Sequence, residues 1–307
     1  MGFSFGSDPE FMVEKEDGTL VSAIKVLKGF GKYNKLSVPH DQNTFYDNVL
    51  MEFNVAPSAT FRDFEEHFTT CLRFANELLG KDGLRLRQQS SATFPLSECM
   101  DKESLEFGCD PEFSIYKIKD GIIQQLNPPK LPKGNTFRSC GGHIHIGHPI
   151  ATLDGGNPQM VVKMMDLFVG NTALLINHDP TADARREIYG GAGTHRLADY
   201  GLEYRTLSNF WLRGPAWAEV IYRLTRLAVQ LAVARPELAS SLATDKETEN
   251  IINTGNKEAA ETLFKKTSKF MSDDLQDRIA NVRHFQPSYM EVEWGIRKEA
   301  QQKAQAV

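Results

Sequence analysis

Gly6-Ser7-Asp8-Pro9-Glu10-Phe11 returns 102 residues later as Gly108-Cys109-Asp110-Pro111-Glu112-Phe113, with five of six positions matching. Each copy is followed by an Asp-Gly pair, Asp17-Gly18 and Asp120-Gly121. Asp-Gly between alternating residues is a hairpin signal. Each copy therefore predicts an apolar strand, a turn and a return strand: Phe11 to Val26 first, then Phe113 to Leu126.

Between the copies, residues 49–55 read as a buried strand carrying one carboxylate, Glu52, and Ala56-Pro57-Ser58 ends it. A helix follows with Thr60 as N-cap and Asp63 in a capping-box place. Phe61, Phe64, Phe68, Leu72, Ala75, Leu78 and Leu79 keep the helical period, and Gly80 closes the helix. Residues 81–104 read as strand and loop. After the second hairpin, Gly141-Gly142-His143-Ile144-His145-Ile146-Gly147 alternates strictly and reads as a strand. A helix is expected from about residue 158 to 177, with Pro158 in its first turn. Residues 179–200 are polar, rich in Gly and Arg, and read as a working loop. Residues 201–207 form a further strand, Pro215 opens a long helix to Ala234, and the rest is helical.

The chain has 307 residues, a net charge of −5 and a pI near 5.9, which argues against a nucleic-acid binder working by bulk charge, though not against a local basic patch. Charged residues are 24% and evenly mixed, which argues against disorder. No apolar run approaches the roughly 18 residues of a membrane span. Residues 1–5 have no basic start and no apolar signal core, so a cytoplasmic protein is expected. Gly2 suits myristoylation, but residues 3–6 read as the start of a strand. Cys71, Cys99, Cys109 and Cys140 lack CxxC pairing and read as reduced and buried.

Four acids, Glu10, Glu52, Glu112 and Glu203, sit inside apolar, strand-like words. Asp8 shares a strand face with Glu10. Buried acids are costly unless paired or bound to a cation, and four on one sheet point to hard cations such as Mg²⁺. His143 and His145 face one side of their strand among glycines, which suits a metal or a phosphate. Arg185, Arg186 and Arg196 lie in the Gly-rich loop, and Arg205 shares a strand face with Glu203. Planar guanidinium groups suit phosphate oxygens. Acids, cations and arginines together describe phosphoryl transfer from a nucleotide. The chain has no GxxxxGK[ST], no dinucleotide GxGxxG, no GxSxG and no HExxH, so a nucleotide would bind on a sheet face.

Asp-Pro-Glu-Phe, Met-Glu-Phe-Asn, Gly-Gly-His-Ile-His-Ile-Gly and Glu-Tyr-Arg-Thr-Leu-Ser-Asn-Phe-Trp, in this order, resemble the phage-type carboxylate–amine ligases. These belong to the glutamine synthetase and glutamate–cysteine ligase superfamily. The resemblance covers about residues 3 to 213. It implies an α+β fold: a curved, glutamine-synthetase-like antiparallel sheet, helices on its outer face and a helical C-terminal cap. The ligase domain would span residues 1–235, with the hairpin echo at 3–26 and 105–126, and the cap would span 236–307.

The resemblance implies amide formation with ATP and Mg²⁺ (or Mn²⁺) through an acyl phosphate. Asp8, Glu10, Glu52, Glu112, His145 and Glu203 would hold metal. His143, His145, Arg185, Arg186 and Arg205 would hold nucleotide, and Arg186, Arg196 and Arg205 would act on the transferring phosphoryl group. The first acid word occurs twice, so Glu10 and Glu112 both stand for the first metal ligand; Glu10 is preferred because no strand acid separates Glu112 from His143. The partners would be a small-molecule or peptide carboxylate and an amine, a modified base included, with no membrane and with a homo-oligomer open. A phage-encoded chain would work in the host cytoplasm. The rivals are a metal-dependent hydrolase using the HxH strand and a non-catalytic nucleotide-binding or assembly protein on the same sheet.

Overall fold

A computed structural model describes residues 2–105, 112–126, 134–285 and 288–297. Gly108 to Pro111, the core of the second acid word, and Cys109 with it, lie outside the described residues.

The strands are β1 (Ser4–Ser7), β2 (Glu10–Lys15), β3 (Leu20–Val21), β4 (Leu36–Val38), β5 (Gln42–Asp47), β6 (Leu50–Ser58), β7 (Leu84–Arg87), β8 (Ser91–Thr93), β9 (Glu112–Lys119), β10 (Ile122–Leu126), β11 (Phe137–Ser139), β12 (Ile144–Gly147), β13 (Thr194–Ala198) and β14 (Gly201–Tyr204). Twelve of them form one open, mixed-order sheet running β10-β9-β13-β14-β12-β1-β6-β2-β3, with β4 and β5 branching from β6 and β7 from β2. The paired strands are antiparallel, and β8 pairs with β11 separately. The fold is α+β.

The two echoed hairpins, β2–β3 and β9–β10, close on their Asp-Gly turns and stand at opposite ends of this path. Gly18 takes a φ of +81°, and Asp120-Gly121 take +53° and +77°. The first return strand stops at Val21 instead of Val26, because Ala23–Val26 turns helical. The Glu52 strand runs through Pro57 to Ser58: Pro57 falls where the β1–β6 register shifts, between the Phe5–Ser58 and Ser7–Val55 pairs, and a bulge tolerates a missing N–H.

Helix α1 (Phe61–Gly80) has the expected capping box: Asp63 N–H donates to Thr60 Oγ1, and Thr60 N–H donates to Asp63 Oδ2. It buries Phe64, Phe68 and Leu72 against the sheet face that also carries Phe5, Ile144, Ile146 and Leu202. Each such side chain contributes about 2 kcal/mol on burial. Helices α2 (Pro158–Met165) and α3 (Asn171–Ile176) are joined by a wide turn at Asp166–Gly170. There Asp166 Oδ1 accepts from Tyr204 on β14 at 2.6 Å. Burial pushes the Asp166 carboxyl up to about 7. The stretch Pro158–Ile176 is long and apolar enough to cross a membrane, correcting the expectation that no such run exists, but 78% of its apolar window is buried inside the protein. Helix α4 (Ala182–Arg186) and strand β13 occupy the segment expected to be loop; β13 pairs with β14 and β9, and so draws Arg196 into the sheet. Helix α5 (Pro215–Ala234) crosses α2, and α6 (Asp245–Thr254), α7 (Lys257–Thr267) and α8 (Asp273–His284) pack onto α3 and α5. Cys71, Cys99 and Cys140 are free and buried.

Gly201 opens β14 with a φ of +149°, and a Cβ there would lie 2.1 Å from the Ile146 carbonyl oxygen. Gly18 is strained for other residues too, but a Cβ there meets nothing within 4 Å. Gly201→Ala should therefore cost about 3 kcal/mol, combining backbone strain and overpacking, against about 1 kcal/mol for Gly18→Ala. Urea denaturation of both variants measures this; equal losses would show that the close approach at Gly201 relaxes freely.

Candidate active site

The pleat sets the site. His145 pairs with Glu203, Glu203 with Arg196, and Gly6 with His145, so these positions form one row across four strands. Residues two further along their strands share that face: Asp8, His143 and Arg205. Ile144, Ile146, Leu202 and Tyr204 face the helices instead.

Glu203 is 1% exposed and lies at the middle of this cluster. It accepts from Arg196 Nε at 2.7 Å and from Arg205 Nη1. Arg205 also donates to Glu112 Oε2 at 3.1 Å and to the Tyr189 hydroxyl. His143 Nδ1 lies 3.2 Å from Asp8 and 3.1 Å from Glu203, and His145 Nε2 lies 3.1 Å from Asp8. Burial would push Asp8 up, but His145 and His143 hold it well below the ordinary carboxylate range. Burial and Asp8 oppose the charge on Glu203, yet His143 and Arg205 hold it down to about 2. Burial and Arg205 disfavour a charged His143, but Asp8 and Glu203 raise it to about 9.

A second cluster lies along β2, β5 and β6. Glu10 pairs directly with Glu52, and Asp47 ends the neighbouring strand. Carboxylate oxygens of Glu10, Asp47 and Glu52 lie within 4.8 Å of one another, as do a ring nitrogen of His145 and carboxylate oxygens of Asp8 and Glu203. Glu10 Oε2 is fixed by the Gly141 N–H at 2.6 Å. Burial, then Asp8, Glu10 and Asp47, push the Glu52 carboxyl well above its usual value. Both clusters open on one cleft of about 220 Å³, lined by Asp8, Glu10, Asp47, Glu52, His143, His145, Arg196 and Arg205 among others.

The structure thus brings together Asp8, Glu10, Glu52, His143, His145, Arg196, Glu203 and Arg205. Glu112 enters neither acid cluster and instead braces Arg205. Arg185 is buried and donates to the carbonyls of Thr206 and Leu207 at 3.1 Å. Arg186 pairs with Asp183 on its own helix, beside Gly255, and does not line the cleft. The sequence reading missed Asp47 and Tyr189. The Asp47-Asn48 turn pair, with Asn48 at φ +57°, was the available signal for a hairpin placing Asp47 beside Glu52.

A family sequence model matches residues 134–295, just over half of the chain: phage phiEco32-like COOH.NH2 ligase-type 2. The chain belongs to this family. No curated protein matches it. The matched segment carries His143, His145, Arg196, Glu203 and Arg205; Asp8, Glu10, Asp47 and Glu52 precede it.

The charge pattern sets a pH dependence of stability. His143 is raised above its ordinary 6.5, so its contribution is complete below about 6.5 and is lost as pH rises through about 9. Glu203 is depressed, so its contribution holds above the ordinary carboxylate range and is lost on acidification toward about 2. In EDTA, the melting temperature should fall between about pH 6.5 and 9, and His143→Gln should flatten that fall. Calorimetry across this range is the check; an unchanged slope in the variant would place the transition elsewhere.

Proposed function

We propose that the chain joins a carboxylate to an amine using ATP and Mg²⁺ (or Mn²⁺), through an acyl phosphate. The observation that supports this best is one cleft holding two acid clusters with a braced arginine pair beside them. The donor sets fit divalent cations. Asp8 Oδ1, His143 Nε2 and His145 Nε2 are buried without hydrogen-bond partners, and Glu52 is forced toward its neutral form by burial and then by the acids around it. Asp8, His145 and Glu203 would hold one cation, and Glu10, Asp47 and Glu52 another. Bound there, the cations would neutralise nucleotide phosphate oxygens.

In this reading a carboxylate oxygen of the substrate takes the γ-phosphoryl group and ADP leaves. The amine nitrogen then attacks the acyl carbon, gives up a proton, and phosphate leaves. Arg205 is clamped by Glu203, Glu112 and Tyr189, and Arg196 by Glu203. Their guanidinium groups are oriented before substrate arrives, so little reorganisation is needed as charge grows on the phosphoryl oxygens. Arg186, away from the cleft, is left out of this role. The hydrolase alternative leaves the arginine pair without a task. The substrates are a small-molecule or peptide carboxylate and an amine, and the host cytoplasm is the place of action if the chain is phage-encoded.

ATP should bind measurably only with Mg²⁺ or Mn²⁺ present; calorimetry giving equal affinity in EDTA would end the metal-bridged reading. Arg205→Lys keeps the charge but loses the fork. Phosphate release should fall by about a hundredfold while ATP affinity changes little. Steady-state kinetics beside ATP titration measures both, and turnover like the parent's would remove Arg205 from the chemistry. Glu52→Gln should abolish ligation while the melting temperature holds or rises, because the acid cluster loses repulsion. A folded variant with normal turnover would make Glu52 structural.

A further inference from the structure

Ala198 pairs with Gly201, so Asp199 and Tyr200 form a two-residue turn between β13 and β14. The close approach of Gly201 to Ile146 holds that turn against β12. Tyr200 is thereby laid beside His145: their rings lie within 9° of parallel, and the phenol oxygen is 2.7 Å from His145 Nδ1. The ligation reading assigns this contact nothing.

An imidazole nitrogen binds a cation only through a bare electron pair, so the position of the ring proton decides whether His145 is a ligand. Nε2 faces Asp8 Oδ1 at 3.1 Å, yet both atoms are buried and neither is aligned in a hydrogen bond. Two polar atoms side by side, not pointing at each other, suit two ligands aimed at a common centre. That requires the proton on Nδ1, donated to the phenol oxygen. Tyr200 is 48% exposed, so its own hydroxyl proton has solvent to reach.

We propose that Tyr200 is a positioning residue that holds His145 with Nε2 bare toward Asp8, and so sets the affinity of the Asp8–His145–Glu203 cluster for a divalent cation. This rests on the reading of that cluster as a cation site. Partners that orient a metal-bound histidine are typically worth about 10–100-fold in affinity.

The test is Mn²⁺ titration, followed by electron paramagnetic resonance, of the parent, Tyr200→Phe, His145→Ala and the double variant, with melting temperatures alongside. Tyr200→Phe keeps the ring and removes the acceptor. It should weaken the Mn²⁺ site that His145→Ala destroys by about 10–100-fold, with little change in melting temperature. In the His145→Ala background it should cost nothing more. Nitrogen-15 spectra of the Mg²⁺-saturated parent should place the His145 proton on Nδ1. Parent-like Mn²⁺ affinity in Tyr200→Phe, an equal loss in both backgrounds, or a proton on Nε2 overturns the proposal while leaving the cation site standing. A parent that holds no Mn²⁺ sensitive to His145→Ala overturns the cation site, and this proposal with it.

Discussion

Glu203 is a carboxylate shut in the middle of a sheet, and the rest of the site follows from how its charge is met. Two guanidinium groups from β13 and from the end of β14 reach it, and an imidazole leans on it from the segment entering β12. Such pairing is a poor source of stability, because desolvation offsets most of the attraction and apolar residues of similar size would often serve the fold better. Removing one partner, however, leaves a buried charge uncompensated. The arrangement therefore fixes the side chains far more firmly than it strengthens the fold. Arg205, held at three points, is a guanidinium with almost no freedom left to lose.

What the sequence made legible was local. Strict alternation at residues 141–147 put both histidines on one face, and the Asp-Gly pairs drew both hairpins. Thr60 and Asp63 announced the start of α1. Each of these signals lies within a few residues of its consequence. The sheet order does not. Nothing in the echo tells that β2–β3 and β9–β10 end up at opposite edges, since that depends on pairings between distant segments.

Arg186 and Arg196 show the same limit at the site. Ten residues apart in a polar, Gly-rich stretch, they look equivalent in the chain. Thr194–Ala198 is captured by two strands and carries Arg196 to Glu203, whereas Arg186 ends a short helix and turns back to Asp183. Tertiary pairing, not composition, separates them. Asp47 was hidden for the opposite reason: it sits at a strand end whose hairpin partner is the already suspicious Glu52 strand, and only the register of β5 on β6 brings it near.

The two acid clusters stand in different electrostatic positions, although they share a cleft. Around Asp8 and Glu203 the protein supplies positive charge through Arg196, Arg205 and His143, where Asp8 and Glu203 outweigh burial and Arg205 and favour the proton. At Glu52 burial weighs most, then Asp8, Glu10 and Asp47 add repulsion that Lys35 only partly offsets, and the carboxyl favours its proton. Arg196, Arg205 and His143 therefore come to the first cluster from the segment that the family match covers, while the acids of the second lie on strands that precede it. The cleft is thus assembled from both sides of residue 134: carboxylates gather on the N-terminal strands, and the guanidinium groups reach it from β13 and the end of β14.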